Sequence, residues 1–453
     1  MTTPFLSRSF VLTLAACAAP ALAQDLTVKA PPQSQPVVIT GATVHPVTSP
    51  AIENGVIEFE GGVIKGVYSA DAWNAEIARR GMPASTRTID AKGAHVYPGL
   101  IAPYTQLGLT EIQAVAATND TSETGGITPE VLATSAVNPD SNLLTVTRSN
   151  GVLLAGVFPG GGSVSGQGGV IRLDGWTVKD MAVAPSVGMV VRWPNVRPFT
   201  AWWMDRSEED QMKEVRENLA AIEKTFDTAK AYDDLRDTDA ATPIDLRWEA
   251  MRPLFAAKDE QQLPVFLHAS DVDQINSAVQ FGAQRGLKMV LVGGRDADQA
   301  ADLLKQHNVP VIVNGTHAMP RRDDAAYDDA FTLPARLLAA GLTFTISNGD
   351  DTAHERNLPY STATAVAHGL PHDEGLKCLT INAAKVLGVA DMYGSLEAGK
   401  SATLIVTTAD PMEVSTIVLG AFIDGREIDL SNKQTELAKK YLERYRQTGD
   451  IEK

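Results

Sequence analysis

Cysteine is almost absent from this 453-residue chain, which has only Cys17 and Cys378. A disulfide framework is thereby excluded, and stability has to come from an ordinary apolar core. Aromatic residues make up only 6% of the chain, against 44% for all hydrophobic types. That balance suits an aliphatic, buried parallel sheet covered by helices. Basic residues are also few: 39 against 55 acidic, for a net charge of −16. Phosphate recognition needs a basic surface, so nucleic-acid binding is excluded. Past the first residues no apolar run approaches the ~20 residues that cross a bilayer. The chain has no repeat at solenoid periods and no Gly-x-Ser-x-Gly elbow of a serine hydrolase.

Residues Met1 to Ala23 carry one positive charge, Arg8, then an apolar run from Phe10 and a small-x-small end, Ala21-Leu22-Ala23. This is the layout of a secretory signal, so 1–23 is expected to be cleaved and the protein exported to the periplasm. Leu14-Ala15-Ala16-Cys17 also resembles a lipoprotein box. Anchoring through a lipid on Cys17 is therefore the alternative to soluble release. Residues 24–453 are enough for one large domain or two.

Residues 24–36 are polar and proline-containing and are expected to be a linker. From Val37 onward, short β-branched runs alternate with Gly, Asn and Pro turns, and a second such set lies near the other end, in GSLEAGKSATLIVTTAD and STIVLGAFIDGREID. One small β domain built from both ends, 37–95 plus 395–430, is expected. Between them lie strand-like runs at Val96–Ile101, Val152–Val157, Met189–Val191, Val265–Leu267, Lys288–Val292, Val309–Val313 and Leu342–Ile346. Helical text separates most of them, for example Asp271–Arg285, Asp296–His307 and Leu333–Ala340, which predicts an α/β barrel or doubly wound sheet over 96–394. Residues 206–235 read as a helical insertion, and 431–453 as a charged surface helix. The stretch from Pro159 to Gly169 has six glycines but no Gly-Lys-Ser/Thr end, so it is expected to be a flexible loop over the barrel mouth and not a phosphate loop.

Several segments together resemble the amidohydrolase superfamily, most of all its exported, imidazolonepropionase-like members. They are AHVYPGLIAPYTQLG from Ala94, LPVFLHAS from Leu263, GLKMVLVGG from Gly286, NAAKVLGV from Asn382 with GSLEAGK from Gly394, and Ile423-Asp424-Gly425-Arg426. The resemblance implies a TIM-type (β/α)8 barrel with a small β-sandwich domain from both chain ends. It also implies hydrolysis of carbon–nitrogen bonds other than peptide bonds in a small molecule, with zinc or a similar divalent metal at the strand ends.

The departures bear on chemistry. Where the family has His-x-His, this chain has Tyr104-Thr105-Gln106. Residues i and i+2 of a strand face one side, so Tyr104 and Gln106 share the geometry, but a phenol and a carboxamide are poor ligands beside imidazole. The family's Asp before the motif is Ala102, and the strand after His268 ends in Val292-Gly293-Gly294 without a histidine. No bridging lysine is found on a middle strand. What remains is His268 and the acid pair Asp350-Asp351 after the last strand, too few for a three-ligand catalytic zinc site. No tightly bound metal and no cofactor are expected.

His268 and Asp350 are accordingly expected to be the acid/base groups, with Tyr104, Gln106, His317, His354 and Arg356 around the substrate. Each has a plainer reading: a hydrogen-bonded strand-end histidine for His268, an Asx turn or helix cap for Asp350 after Asn348-Gly349, and solvated loops for the others. Trp202-Trp203 would line the mouth or pack under the insertion, and Cys378 would be a small buried hydrophobe. A second reading is a metal-free barrel that binds a small ligand or partner, since barrels host unrelated functions. The substrate and the oligomeric state are left open.

Overall fold

The computed structural model describes residues 24–198, 205–239, 241–258, 260–320, 325–349 and 352–451. The signal segment with Cys17, Trp202-Trp203 and Asp350-Asp351 lie outside these. Five strands open the chain: β1 (Val37–Val44), β2 (Ile52–Glu60), β3 (Val63–Tyr68), β4 (Arg87–Asp90) and β5 (His95–Pro98). Eight follow: β6 (Leu100–Thr105), β7 (Val152–Val157), β8 (Val164–Arg172), β9 (Ala182–Arg192), β10 (Val265–Ala269), β11 (Met289–Gly293), β12 (Val311–Asn314) and β13 (Phe344–Ser347). The last three are β14 (Leu404–Thr407), β15 (Val418–Ile423) and β16 (Arg426–Glu427).

The terminal strands form one sheet in the order β16-β15-β14-β5-β1-β2-β3, with β4 beside β1. Chain ends far apart in sequence are joined by the antiparallel β5–β14 pair, in which His95 faces Thr407 and Pro98 faces Leu404. One core unites them: Ile39, Ile57, Phe59, Val96, Leu404 and Phe422 are buried together, and the rings of Phe59 and Phe422 meet edge-on at 5.1 Å.

Strands β6 to β13 form the barrel in sequence order. They are parallel except β8, which runs antiparallel to both β7 and β9. Between β13 and β6 the ring is closed by the segment joining the helices His372–Cys378 and Ile381–Val386. There the Leu379 carbonyl accepts from Ile101 N at 2.9 Å, and the Cys378 carbonyl accepts from Thr345 Oγ1 at 2.6 Å. Cys378 itself is buried. The architecture is an α/β, TIM-type barrel with a small β domain built from both chain ends.

Three expectations need correction. Val96–Ile101 is not one barrel strand: Val96 belongs to β5 in the outer sheet, and the barrel begins after Gly99 with β6. The glycine-rich stretch is a loop only as far as Ser163; from Val164 it is the buried strand β8. Its glycines serve close packing. A Cβ on Gly168 would lie 2.0 Å from the Phe158 ring, and one on Gly169 would lie 2.5 Å from the carbonyls of Ala184 and Pro185. The expected linker is docked at its start. Asp25 and Lys29 are buried and ion-paired, Arg148 reaches Thr27 at 2.7 Å and Asp174 at 3.2 Å, and Asp174 takes a second ion pair from Arg426 at 3.1 Å.

The insertion is a single helix, Glu208–Thr238, capped by Ser207 and acidic in its first turn, where it meets the positive end of the helix dipole. Its buried Phe226 packs edge-on against Phe281 of the helix Val272–Gln284 at 5.2 Å, so it covers the outside of the helical layer. The helix Lys433–Thr448 buries no residue and is held at its start, where Asn432 donates to Ser149 Oγ at 2.9 Å. Among the described residues no helix is long and apolar enough to cross a membrane.

Candidate active site at the barrel mouth

Alternation along the strands decides which side chains reach the mouth. On β10, Val265, Leu267 and Ala269 pack outward with the helices, whereas Phe266 joins the barrel interior. His268 therefore points inward at the strand's end. On β9, Val190 lies inside and Val191 outside, which turns Arg192 inward as well. Arg192 and His268 are direct partners across the two parallel strands.

Tyr104, at the end of β6, lies across from them. Its ring stacks on Phe158 at 4.3 Å and meets the His268 imidazole edge-on at 5.0 Å. A hydrogen bond of 2.5 Å joins Tyr104 Oη and His268 Nε2, the donor depending on the imidazole tautomer. Phe158 continues to Phe266 at 4.6 Å, so an aromatic floor holds the polar pair. Gln106 and Arg192 flank Gly160: a Cβ there would lie 2.7 Å from Gln106 Nε2 and 3.8 Å from Arg192 Nη2. Any larger residue at 160 would displace the amide.

Burial, with the Arg192 charge adding to it, pushes the His268 imidazole down to about 3. His268 is thus neutral at ordinary pH and holds one ring proton. The Nε of Arg192 is buried and has no hydrogen-bond partner among the described residues.

Sequence reasoning placed Tyr104, Gln106 and His268 at one mouth, and the structure brings Tyr104 onto His268. Asp350 falls outside the described residues. His317 is exposed and hydrogen-bonded to Thr364 Oγ1 at 2.8 Å. His354 is exposed, and its carbonyl accepts from Asn348 Nδ2 at 2.8 Å. Arg356 donates to the Ala353 carbonyl at 2.8 Å. The residue that sequence reasoning missed is Arg192. Hydrophobicity ends the apolar run at Val191, although an inward Val190 makes residue 192 the next inward position. Glu355 was missed too. In the short 3₁₀ turn Thr352–Asn357 it is fully buried, and neither carboxyl oxygen has a hydrogen-bond partner among the described residues. Burial pushes it up to about 8, against a weaker pull from the neighbouring Thr105 hydroxyl.

The mouth is a poor seat for the divalent metal that the resemblance implies. Its donors are one imidazole, a phenol and a carboxamide, with a guanidinium paired to the imidazole's strand position. A fixed positive charge there repels a dication, and phenol and amide oxygens hold one weakly. Among the described residues no three His, Cys, Asp or Glu side chains converge as a metal site. The described residues of the mouth do not fit such an ion.

Comparison with known proteins agrees with this architecture. The amidohydrolase family model matches residues 178–428. The amidohydrolase tasK of Hapsidospora irregularis is 22% identical over 387 residues, covering 76% of this chain and 37% of that protein. An imidazolonepropionase of Flavobacterium psychrophilum is 25% identical over 257 residues, covering 49% of this chain and 62% of its own length. The chain thus spans less than two thirds of either relative. The crystal structure of an amidohydrolase from Thermotoga maritima superposes with a TM-score of 0.74 at 23% identity, over 87% of this chain and 99% of that one, and so shares its fold. The alignment to the family model takes in β9 to β13 and the closing strands, and with the barrel it establishes that this chain belongs to the amidohydrolase family.

Proposed function

We propose that this protein is an exported hydrolase that cleaves a carbon–nitrogen bond, other than a peptide bond, of a small molecule at the barrel mouth. The observation that carries this reading is the Tyr104–His268 hydrogen bond, held at the strand ends where barrel active sites form. Export rests on the signal-like residues 1–23, with a lipid on Cys17 as the alternative.

The chemistry uses the chain's own groups. Water attacks the carbonyl carbon while the neutral His268 ring, held in place by Tyr104, accepts its proton. The negative charge growing on the carbonyl oxygen offsets the burial and the Arg192 charge that disfavour the imidazolium. The C–N bond then breaks, and the same proton passes to the leaving nitrogen. Gln106 and Tyr104 orient the carbonyl. Asp350, which follows β13 in sequence, is assigned the second acid/base role. His317, His354 and Arg356 receive none.

The test is a hydrolysis screen of cyclic amides and acyl amides, read as released amine, with wild type and His268→Asn. Turnover that falls by about 100-fold or more in the variant supports the reading, since positioned acid/base groups contribute that much. Turnover indifferent to His268, or none across the panel, overturns it.

A further inference from the structure

We propose that the substrate carries a single negative charge, a carboxylate, and that Arg192 binds it at the mouth with Gln106 beside it; this rests on the hydrolase reading above. Arg192 is half-buried at the end of β9 and makes no ion pair among the described residues, and its Nε is buried without a partner. Buried guanidinium groups are almost always matched by an anion or by hydrogen bonds. Among the described residues nothing supplies that match to the buried Nε, which leaves the place for a group from outside the chain.

The surroundings specify what that group is. Gln106 Nε2 and Arg192 Nη2 both lie beside Gly160, within 2.7 and 3.8 Å of where its Cβ would stand, so the two donors share one place at the mouth. Both donate hydrogen bonds, and a guanidinium fork fits a planar carboxylate better than a point ion. Arg192 supplies one charge, and the neighbouring His268 is neutral, so a monoanion is matched where a phosphate dianion would be half compensated. Arg192 and His268 are paired across adjacent strands. A carboxylate held on Arg192 therefore sets an adjoining amide carbonyl against the Tyr104–His268 pair.

The test measures binding by calorimetry for matched acids and amides, N-acetylglycine against N-acetylglycinamide and hippurate against hippuramide, in wild type, Arg192→Gln, Arg192→Lys and His268→Asn. The expected result is an acid-over-amide preference of about 10- to 100-fold, the range for a charge-assisted contact. Arg192→Gln abolishes the preference, Arg192→Lys recovers part of it, and His268→Asn retains it. Thermal melts of each variant separate lost binding from lost folding, and Arg192→Lys keeps the charge if Arg192→Gln fails to fold. Equal binding of acids and amides, no binding of any acid, or a preference that survives Arg192→Gln overturns the proposal. Acid-selective binding without turnover leaves this inference standing and removes the hydrolase reading. Turnover of neutral amides, unchanged in Arg192→Gln, does the reverse.

Discussion

Arg192 and His268 are partners across β9 and β10, so a fixed positive charge stands beside the imidazole that faces Tyr104. This pairing makes the mouth unlike a metal seat. It adds to the burial that keeps the imidazole neutral, and it favours an anion over a cation at the same spot.

Tyr104→Phe removes one hydroxyl and keeps the ring that stacks on Phe158. The variant is expected to melt within a few degrees of wild type while kcat/KM falls about 10- to 100-fold, because His268 loses the partner that fixes its rotamer and tautomer. Steady-state kinetics beside a thermal melt checks this. An unchanged kcat/KM would leave the hydrogen bond without a catalytic role.

Gly168→Ala tests the glycine strand. Its new methyl would lie 2.0 Å from the Phe158 ring, and Phe158 supports Tyr104. Overpacking of this kind costs about 3 kcal/mol. Urea denaturation is expected to show that loss, with activity falling as Tyr104 is displaced. Stability equal to wild type would mean that β8 is not packed here.

Glu355→Gln tests the buried acid. The folded carboxyl is raised from 4.5 to about 8, so the native state keeps a proton that the unfolded chain releases. Stability therefore falls as pH rises from about 4.5 to about 8 and is flat beyond both limits. The amide cannot ionise. The stability advantage of Glu355→Gln over wild type, followed by melting temperature, is expected to grow through that window and level off above it, with a free-energy ceiling of about 5 kcal/mol. Parallel melting curves at pH 5 and pH 9 would contradict it.

Arg148→Met cuts the ion cluster that docks the N-terminal segment. Arg148 and Asp174 are each 1% exposed at the side chain, and removing one member leaves a buried charge short of partners. A loss of about 3 kcal/mol is expected, the low end for such a deletion, because Asp174 keeps Arg426 and Asp25 keeps Lys29. Hydrogen exchange should rise first at residues 25–30. Unchanged protection there would show that the segment docks without the cluster.

The sequence made the barrel legible where strands are covered on both faces, since runs such as Val265–Leu267 and Val309–Val313 are continuously apolar. It made β8 illegible, because glycines there read as turn residues while their purpose is to let Phe158 and the β9 backbone approach. Tyr104, Gln106 and His268 were legible through motif position. Arg192 was not, because a strand-end charge looks like the start of a loop when only hydrophobicity marks the boundary. Glu355 was hidden for a related reason: an acid in AHERNLPY reads as solvated, and its burial follows only from how the turn after β13 packs beside Thr105.

On the reading proposed above, the Tyr104–His268–Arg192 mouth works without a tightly held metal. The direct test is kcat/KM of the purified protein on a hydrolysed amide, before and after exhaustive chelation, with metal content measured on the same samples. Far less than one metal per chain and an unchanged kcat/KM are expected. One zinc-like ion per chain, with activity lost on its removal and restored on its return, would contradict it.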